Sequence, residues 1–144
     1  MLSIEIKHRL TPEIIVEPAL YEVVVFGSNI EGKHGKGLAR QALQWGAQPG
    51  KGRGYAGQTY GIPTRRWIPP NRVETLPLDM IKQFVGLFIR DAEMNGDRRH
   101  LVTRIGCGLA GYTPKDIAPM FVGAIPLVNV TLPEDFWNII LLIK

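Results

Sequence analysis

Two glycine-rich stretches carry the residues that could bind an anion. The first spans residues 27–37 and follows the apolar run of residues 23–26, and the second spans residues 106–111 after the predicted strand of residues 101–105. Glycine has no Cβ, so its backbone can approach a ligand closely, and free N–H groups at the start of a following helix favour negative charge. Two loops of this kind predict a phosphate-bearing ligand held between them.

Side chains next to these stretches are candidates for ligand contacts, and each has a plain structural alternative. Asn29 directly follows the first apolar run, where it is either a turn former or a hydrogen-bonding partner for a ribose or a phosphate. Lys36 and Arg65 are either solvated cations or partners of a phosphate. Cys107 is favoured as a small packing residue, because nothing in the sequence pairs a base with it. The aromatic residues that either stack on a base or lie in the core are Phe26, Trp67 and Tyr112.

Two motif matches suggest rival functions. Residues 27–33 approach the phosphate-binding loop of nucleotide triphosphatases, but His34 stands where that loop needs Ser or Thr to bind magnesium. Residues 106–111 fit the pattern G-x-G-x-x-G, yet they lie late in the chain and the next helix starts only at Thr113. We therefore interpret both stretches as parts of a diphosphate cradle. A magnesium-dependent nucleotide hydrolase and a non-enzymatic protein that sequesters a nucleotide are the alternatives.

Composition limits the class of protein. The chain has 144 residues, a net charge of +4 and one cysteine, which fits one domain with a real core. Its basic residues are scattered, so the charge does not indicate nucleic acid. A single cysteine excludes an intrachain disulfide and fits a reducing compartment, so we expect a cytoplasmic protein. We see no secretory signal and no apolar run of the roughly 18 residues that a membrane span needs, and we predict no metal site and no cofactor.

The order of apolar runs and turn residues predicts an α/β fold with a mixed or mostly parallel sheet and helices on both faces. Short extended segments are expected at residues 4–7 and 13–16, and a mobile loop at residues 47–57. Both glycine stretches follow strand ends, which is where open α/β sheets bind ligands. Further strands are predicted at residues 21–26, 58–63, 101–105 and 128–132, and helices at residues 35–45, 78–95, 114–122 and 133–142.

Three blocks together resemble the macrodomain family of ADP-ribose-binding α/β modules. They are His34-Gly35-Lys36-Gly37-Leu38-Ala39-Arg40-Gln41, Tyr60-Gly61-Ile62-Pro63-Thr64-Arg65-Arg66-Trp67 and Ile105-Gly106-Cys107-Gly108-Leu109-Ala110-Gly111-Tyr112. In order and spacing they are similar to the M-G-K-G-I-A-x-Q, F-P-T-K-x-H-W and L-G-C-G-N-G-G-L segments of one branch. That branch contains DNA-ADP-ribosyl hydrolases and terminal ADP-ribose glycohydrolases. The resemblance covers about residues 21–125.

The resemblance implies a three-layer α/β/α sandwich that binds ADP-ribose or a related nucleotide, with an ADP-ribosylated macromolecule as a further partner. Asn29 and residues 35–38 would line the distal ribose, and the backbone of residues 106–112 would hold the diphosphate. The residues expected to contact the ligand are Phe26, Gly27, Ser28, Asn29, His34, Gly35, Lys36, Gly37, Leu38, Gly106, Cys107, Gly108, Leu109, Ala110, Gly111 and Tyr112.

Two positions depart from the hydrolases of this branch. Arg65 stands at the position of a catalytic lysine, and Ala110 stands at the position of an acid. Arginine stays protonated and cannot become a nucleophilic amine. Hydrolysis of an ADP-ribosyl linkage would therefore need a positioned water, with Asn29, Lys36 and Arg65 as the candidate catalytic residues. Binding alone and hydrolysis both stay open, as does the oligomeric state.

Overall fold

The computed structural model describes residues 4–143, which form an α/β fold around a mixed six-stranded sheet. The strands are β1 (Glu22–Asn29), β2 (Gly54–Ala56), β3 (Thr59–Ile68), β4 (Arg72–Thr75), β5 (Arg99–Val102) and β6 (Val130–Thr131). The α-helices are α1 (Ile4–Lys7), α2 (Gly37–Ala42), α3 (Leu78–Glu93), α4 (Pro114–Ile117) and α5 (Glu134–Ile143). Two 3₁₀-helices, Leu43–Trp45 and Ala118–Ala124, continue α2 and α4.

The central strand β1 is buried on both faces, as its apolar run predicts. The sheet order is β2-β3-β1-β5-β6, with β4 added to β3. Strands β3, β1, β5 and β6 are parallel to one another, whereas β2 and β4 run antiparallel to β3. Val23 and Val25 lie in the core under α3, α4 and α5, and Val24 and Phe26 lie in a second core under α2. The sheet is therefore the middle layer of three.

The long helix α3 confirms the prediction made from its apolar periodicity. It spans Leu78–Glu93, and its fully buried residues Ile81, Val85, Phe88 and Ala92 recur every three or four positions. This spacing places them on one face of an α-helix. The helix crosses from β4 to β5 on the face opposite α2, so the two helical layers flank β1 from opposite sides.

The N-terminal segment differs from its prediction. Residues 4–7 form the short helix α1 instead of a strand, and residues 13–16 are bends without strand pairing. A buried arginine holds this segment down: the Arg9 guanidinium donates hydrogen bonds to the carbonyls of residues 124, 125, 127 and 130 and lies 4.7 Å from the ring centroid of Trp137. Leu10 then bridges to Leu132 beyond the end of β6. The alternation of apolar and polar residues that predicted strands here covers only four residues in each segment, and these long-range contacts outweigh so short a local signal.

Residues 47–57, which the sequence predicts to be a mobile loop, are packed against the end of β1 and include strand β2. Gly50 N–H donates to the Gly32 carbonyl over 3.0 Å, and the Ser28 hydroxyl donates to the Gly52 carbonyl. A Cβ on Gly52 would clash with the Asn29 carbonyl oxygen. The glycines in this segment therefore allow close backbone packing, which composition alone does not distinguish from flexibility.

Several element boundaries shift for local reasons. The helix predicted at residues 35–45 begins at Gly37, and the one predicted at residues 114–122 changes to a 3₁₀-helix at Ala118. Pro119 lacks the N–H that an α-helix needs there. Strand β3 runs to Ile68 and pairs with β4, a strand that the sequence analysis missed. The strand predicted at residues 128–132 is limited to Val130–Thr131.

Candidate functional site

A cleft of about 1280 Å³ lies at the carboxyl ends of β1, β3 and β5. Both glycine stretches contribute to it, because one begins in the last residues of β1 and the other follows β5, its neighbour in the sheet. Parallel strands present their carboxyl ends at the same edge, which brings the two stretches together. The predicted site residues that line the cleft are Gly27, Ser28, Asn29, Gly35, Lys36, Gly37, Leu38, Arg65, Gly106, Gly108, Leu109 and Ala110.

The first glycine stretch is shaped by a clamp between Asn29 and Lys33. The Asn29 side chain accepts a hydrogen bond from Lys33 N–H over 2.7 Å and donates to the Lys33 carbonyl over 2.9 Å. Gly37 has a φ of +58°, a conformation that favours glycine, whereas a Cβ added to Gly35 would have no atom of the described residues within 4 Å of it. Through its two hydrogen bonds to Lys33, Asn29 acts as a turn former. One hydrogen of its amide group and one lone pair of its side-chain oxygen stay available to a ligand.

The second glycine stretch packs against the base of the first. Gly106 has a φ of +76°, and its amide nitrogen lies 3.8 Å from where a Cβ of Gly27 would be. At its far end the stretch is tied to the last residue of β4 and to the residue after it. Thr75 Oγ1 donates to the Ala110 carbonyl over 2.9 Å, and the Tyr112 phenol donates to the Leu76 carbonyl over 2.7 Å. These bonds fix the backbone that faces the cleft.

Three cations line the β3 and β1 side of the cleft. The Arg65 side chain projects from β3 and has no hydrogen bond or ion pair with any residue from 4 to 143. Lys36 immediately precedes α2, and its side chain makes no capping hydrogen bond. Lys33 Nζ lies 3.9 Å from the ring centroid of Trp67, a cation–π contact at the cleft wall. Arg66, by contrast, pairs with Glu74 and does not line the cleft.

Five of the predicted ligand contacts do not line the cleft. Phe26 is only 2% exposed and packs in the core under α2, with the His34 ring edge-on against it. His34 Nε2 lies 3.0 Å and 3.1 Å from the carbonyls of residues 48 and 51, so this histidine anchors the packed segment of residues 47–57. Gly111 lies beyond the cleft lining, and Tyr112 packs beneath the loop through its phenol. The fifth is Cys107.

The Cys107 thiol packs against the core under α3 and contacts the Ile105 carbonyl at 3.5 Å. Burial raises the pKa of the Cys107 thiol to about 11. A thiol with such a pKa is protonated at neutral pH and is a poor nucleophile. The structure therefore supports the interpretation of Cys107 as a packing residue.

The cleft also contains residues that the sequence analysis missed. Glu134 and Asp135 open helix α5 just after β6, and Arg104 follows β5 and pairs with Asp135. Glu13 enters from the N-terminal segment, which crosses the strand ends. The sequence did carry one signal for them, because Glu134 and Asp135 follow the strand predicted at residues 128–132. Parallel strands present their carboxyl ends at one edge of the sheet, so these two acids could have been predicted to lie near the cleft. Asp116, the first acid after the second glycine stretch, does not line the cleft and caps α4 together with Thr113.

The backbone of residues 27–33 does not form the phosphate-binding loop of nucleotide triphosphatases that their sequence approaches. Gly27, Ser28 and Asn29 belong to β1 and pair with β3, so they do not form a loop. Lys33 closes the Asn29 turn, and the next helix begins only at Gly37. In a phosphate-binding loop the lysine stands at the start of the helix, and the preceding amides wrap the phosphates. This segment is therefore built differently.

No protein-family model, no curated protein and no solved structure matches the chain. Among residues 4–143, no helix is both long and apolar enough to cross a membrane. Within the same part of the chain, no group of three His, Cys, Asp or Glu side chains is placed to hold a metal ion.

Proposed function

We propose that the cleft binds ADP-ribose or a closely related nucleotide, with the diphosphate between the two glycine stretches. The observation that carries this proposal is that residues 35–37, 106 and 108–110 line one cleft at the carboxyl ends of neighbouring strands. Arg65 supports it further, because a guanidinium without a partner among residues 4–143 can donate paired hydrogen bonds to a phosphate. The three sequence blocks that resemble macrodomains favour ADP-ribose among nucleotides.

Binding without turnover is the form of this function that we favour. Among the cleft-lining residues, the carboxylates are Glu13, Glu134 and Asp135. Two of them follow β6, three strands away from the β3 strand that bears Arg65. A general base must lie within hydrogen-bond reach of the water that it activates. The protein would therefore recognise or sequester the nucleotide, alone or attached to a macromolecule.

Calorimetric titration with ADP-ribose tests the proposal directly. We expect micromolar binding of ADP-ribose and much weaker binding of NAD and of ATP with magnesium. Incubation with ADP-ribosylated glutamate substrates should release no ADP-ribose. Failure to bind ADP-ribose at millimolar concentration would overturn the proposal. Magnesium-dependent turnover of ATP that is lost in Lys33→Ala would instead establish the nucleotide hydrolase.

A further inference from the structure

We infer that the Arg104–Asp135 ion pair is the specificity-determining element of the cleft, and that it selects a nucleobase with an exocyclic amine. This inference rests on the proposed function and adds to it the direction in which the ligand lies. The base would lie at the β5 and β6 side of the cleft, and the phosphates and terminal sugar would lie toward Arg65 on β3.

The two sides of the cleft are far enough apart to hold opposite ends of a ligand. Arg65 is on β3, and Asp135 follows β6, with β1 and β5 between those strands. Three strand spacings separate β3 from β6, a distance of about 14 Å. An extended nucleoside diphosphate sugar bridges such a distance, so the ligand can lie across the strand ends with its two ends in different surroundings.

The charges on the two sides differ in sign. Arg65, Lys33 and Lys36 line the β3 and β1 side, whereas Glu134 and Asp135 line the β5 and β6 side together with Arg104, so that carboxylates outnumber the guanidinium there. Carboxylates repel phosphate and favour groups that donate hydrogen bonds. A nucleotide is therefore stabilised in one orientation, with its phosphates toward the basic side and a base that donates hydrogen bonds toward the carboxylates.

The ion pair has the groups that read a base edge. Arg104 lies just after β5 and Asp135 lies in the first turn of α5, and a hydrogen bond from Arg104 Nη1 to Asp135 Oδ2 joins them. Their side chains are 54% and 39% exposed and line the cleft. Asp135 Oδ1 is shielded from solvent and has no hydrogen-bond partner among the residues that the structure describes, so a small rotation of the carboxylate toward a ligand donor would satisfy it.

Adenine matches this pair of groups. A carboxylate accepts a hydrogen bond from an exocyclic amine, and a guanidinium donates one to a ring nitrogen. Adenine offers this donor and this acceptor side by side. Hypoxanthine replaces the amine by an oxygen, which would face the carboxylate unfavourably. The cleft should therefore distinguish the two bases through Asp135.

The experiment compares ADP-ribose with its inosine analogue by calorimetry on the whole chain. We expect the wild type to bind ADP-ribose about tenfold or more tightly than the inosine analogue, because a hydrogen bond to a charged group is lost. Asp135→Asn should reduce this ratio to about threefold or less, since its amide also donates. Arg104→Gln, which leaves the carboxylate in place, should lower the ratio less.

A matched control is Asp79→Asn, which changes an exposed acid in the first turn of α3 away from the cleft. It should leave the ratio unchanged. Equal affinity of the wild type for both nucleotides would overturn this inference and leave the proposed function in place. An unchanged ratio in a folded Asp135→Asn variant would also overturn it. If neither nucleotide binds, both the proposed function and this inference are wrong.

Discussion

Arg65 and Thr75 lie directly opposite each other in the antiparallel pair of β3 and β4, and the Thr75 hydroxyl holds the carbonyl of Ala110 at 2.9 Å. Thr75 thus connects the strand that bears Arg65 to the second glycine stretch. Strand β4 hydrogen-bonds only to β3 within the described sheet. The spacing between Arg65 and residues 106–110 therefore depends on this contact.

Thr75→Val removes the donor while keeping the side-chain shape, so the Ala110 carbonyl loses its partner. We expect ADP-ribose affinity to fall about 2- to 10-fold, the usual effect of one neutral hydrogen bond. Thr75→Ser keeps the hydroxyl and should bind like the wild type. Calorimetry measures both variants, and thermal unfolding checks that they fold. Equal loss in Thr75→Ser and Thr75→Val would show that packing, not the hydrogen bond, positions the loop.

Substitution of Gly35 tests whether the first stretch borders the ligand. No atom of residues 4–143 lies within 4 Å of a Cβ at this position, and the φ of Gly35 is outside the left-handed region. A leucine can therefore be accommodated without backbone strain. Gly35→Leu should abolish ADP-ribose binding by filling the cleft, with the unfolding midpoint within about 3 °C of the wild type. Calorimetry measures the binding, and thermal unfolding measures the midpoint.

The matched control is Gly96→Leu, a change at an equally open glycine in the turn after α3. It should bind normally. Gly37 is a less suitable test position because its φ of +58° would strain any side chain. Full binding by Gly35→Leu would place the ligand elsewhere.

The residues that could be predicted from sequence are those with strong local signals. The run of residues 23–26 is buried on both faces of β1. The apolar periodicity of α3 predicted a helix at residues 78–95, so the predicted start is correct and the predicted end lies two residues beyond Glu93. The second glycine stretch follows β5 as expected, whereas the first begins within β1, which runs three residues beyond the predicted end at Phe26. These features depend on neighbours in the chain, so composition and spacing are sufficient to find them.

Other parts of the site depend on contacts between distant residues. Strand β4 has the sequence Arg-Val-Glu-Thr and no fully buried side chain, and only its pairing with β3 makes it a strand. Asp135 reaches the cleft because Arg9 and β6 hold the α5 region against the sheet, and it meets Arg104 across 31 residues of sequence. His34 lies in the first glycine stretch and Tyr112 directly follows the second, but both side chains pack against the protein interior instead of lining the cleft. Sequence spacing does not encode such side-chain directions.

A double substitution tests whether the cleft has a disarmed hydrolase arrangement. Arg65 and Ala110 both line the cleft, and Thr75 links their backbones. The variant Arg65→Lys with Ala110→Asp would supply an amine that can attack the anomeric carbon and displace the glutamate carboxylate, and an acid that can accept the amine's proton. Water would then hydrolyse the resulting Schiff base, which frees ADP-ribose and restores the lysine. We expect release of ADP-ribose from glutamate-linked substrate, where the wild type gives none. Each single variant, as the control, should be at least about tenfold slower. A double variant that binds ADP-ribose without turnover would contradict the shared site geometry.

The buried His100 predicts how stability depends on pH. Its ring is fully buried, its Nε2 lies 2.8 Å from the Tyr55 phenol, and burial lowers the His100 pKa to about 4 from the ordinary 6.5. The unfolded chain therefore binds a proton below pH 6.5 that the folded chain takes up only near pH 4. The free energy of unfolding should thus fall by about 2 kcal/mol between pH 7 and pH 5 through this residue. Urea unfolding measures it.

The control for this effect is His100→Gln, which keeps a polar side chain next to Asn129 and Tyr55 but cannot titrate. The variant is expected to be less stable at pH 7 because its packing against Phe88 is imperfect. Its free energy of unfolding should fall less steeply toward pH 5 than that of the wild type, since the carboxylates that titrate in both proteins cancel in the comparison. Parallel pH profiles for the two proteins would mean that His100 is protonated in the folded state near its ordinary pKa. The Tyr55 hydroxyl would then have to accept a hydrogen bond from the imidazolium, rather than donate one to a neutral ring.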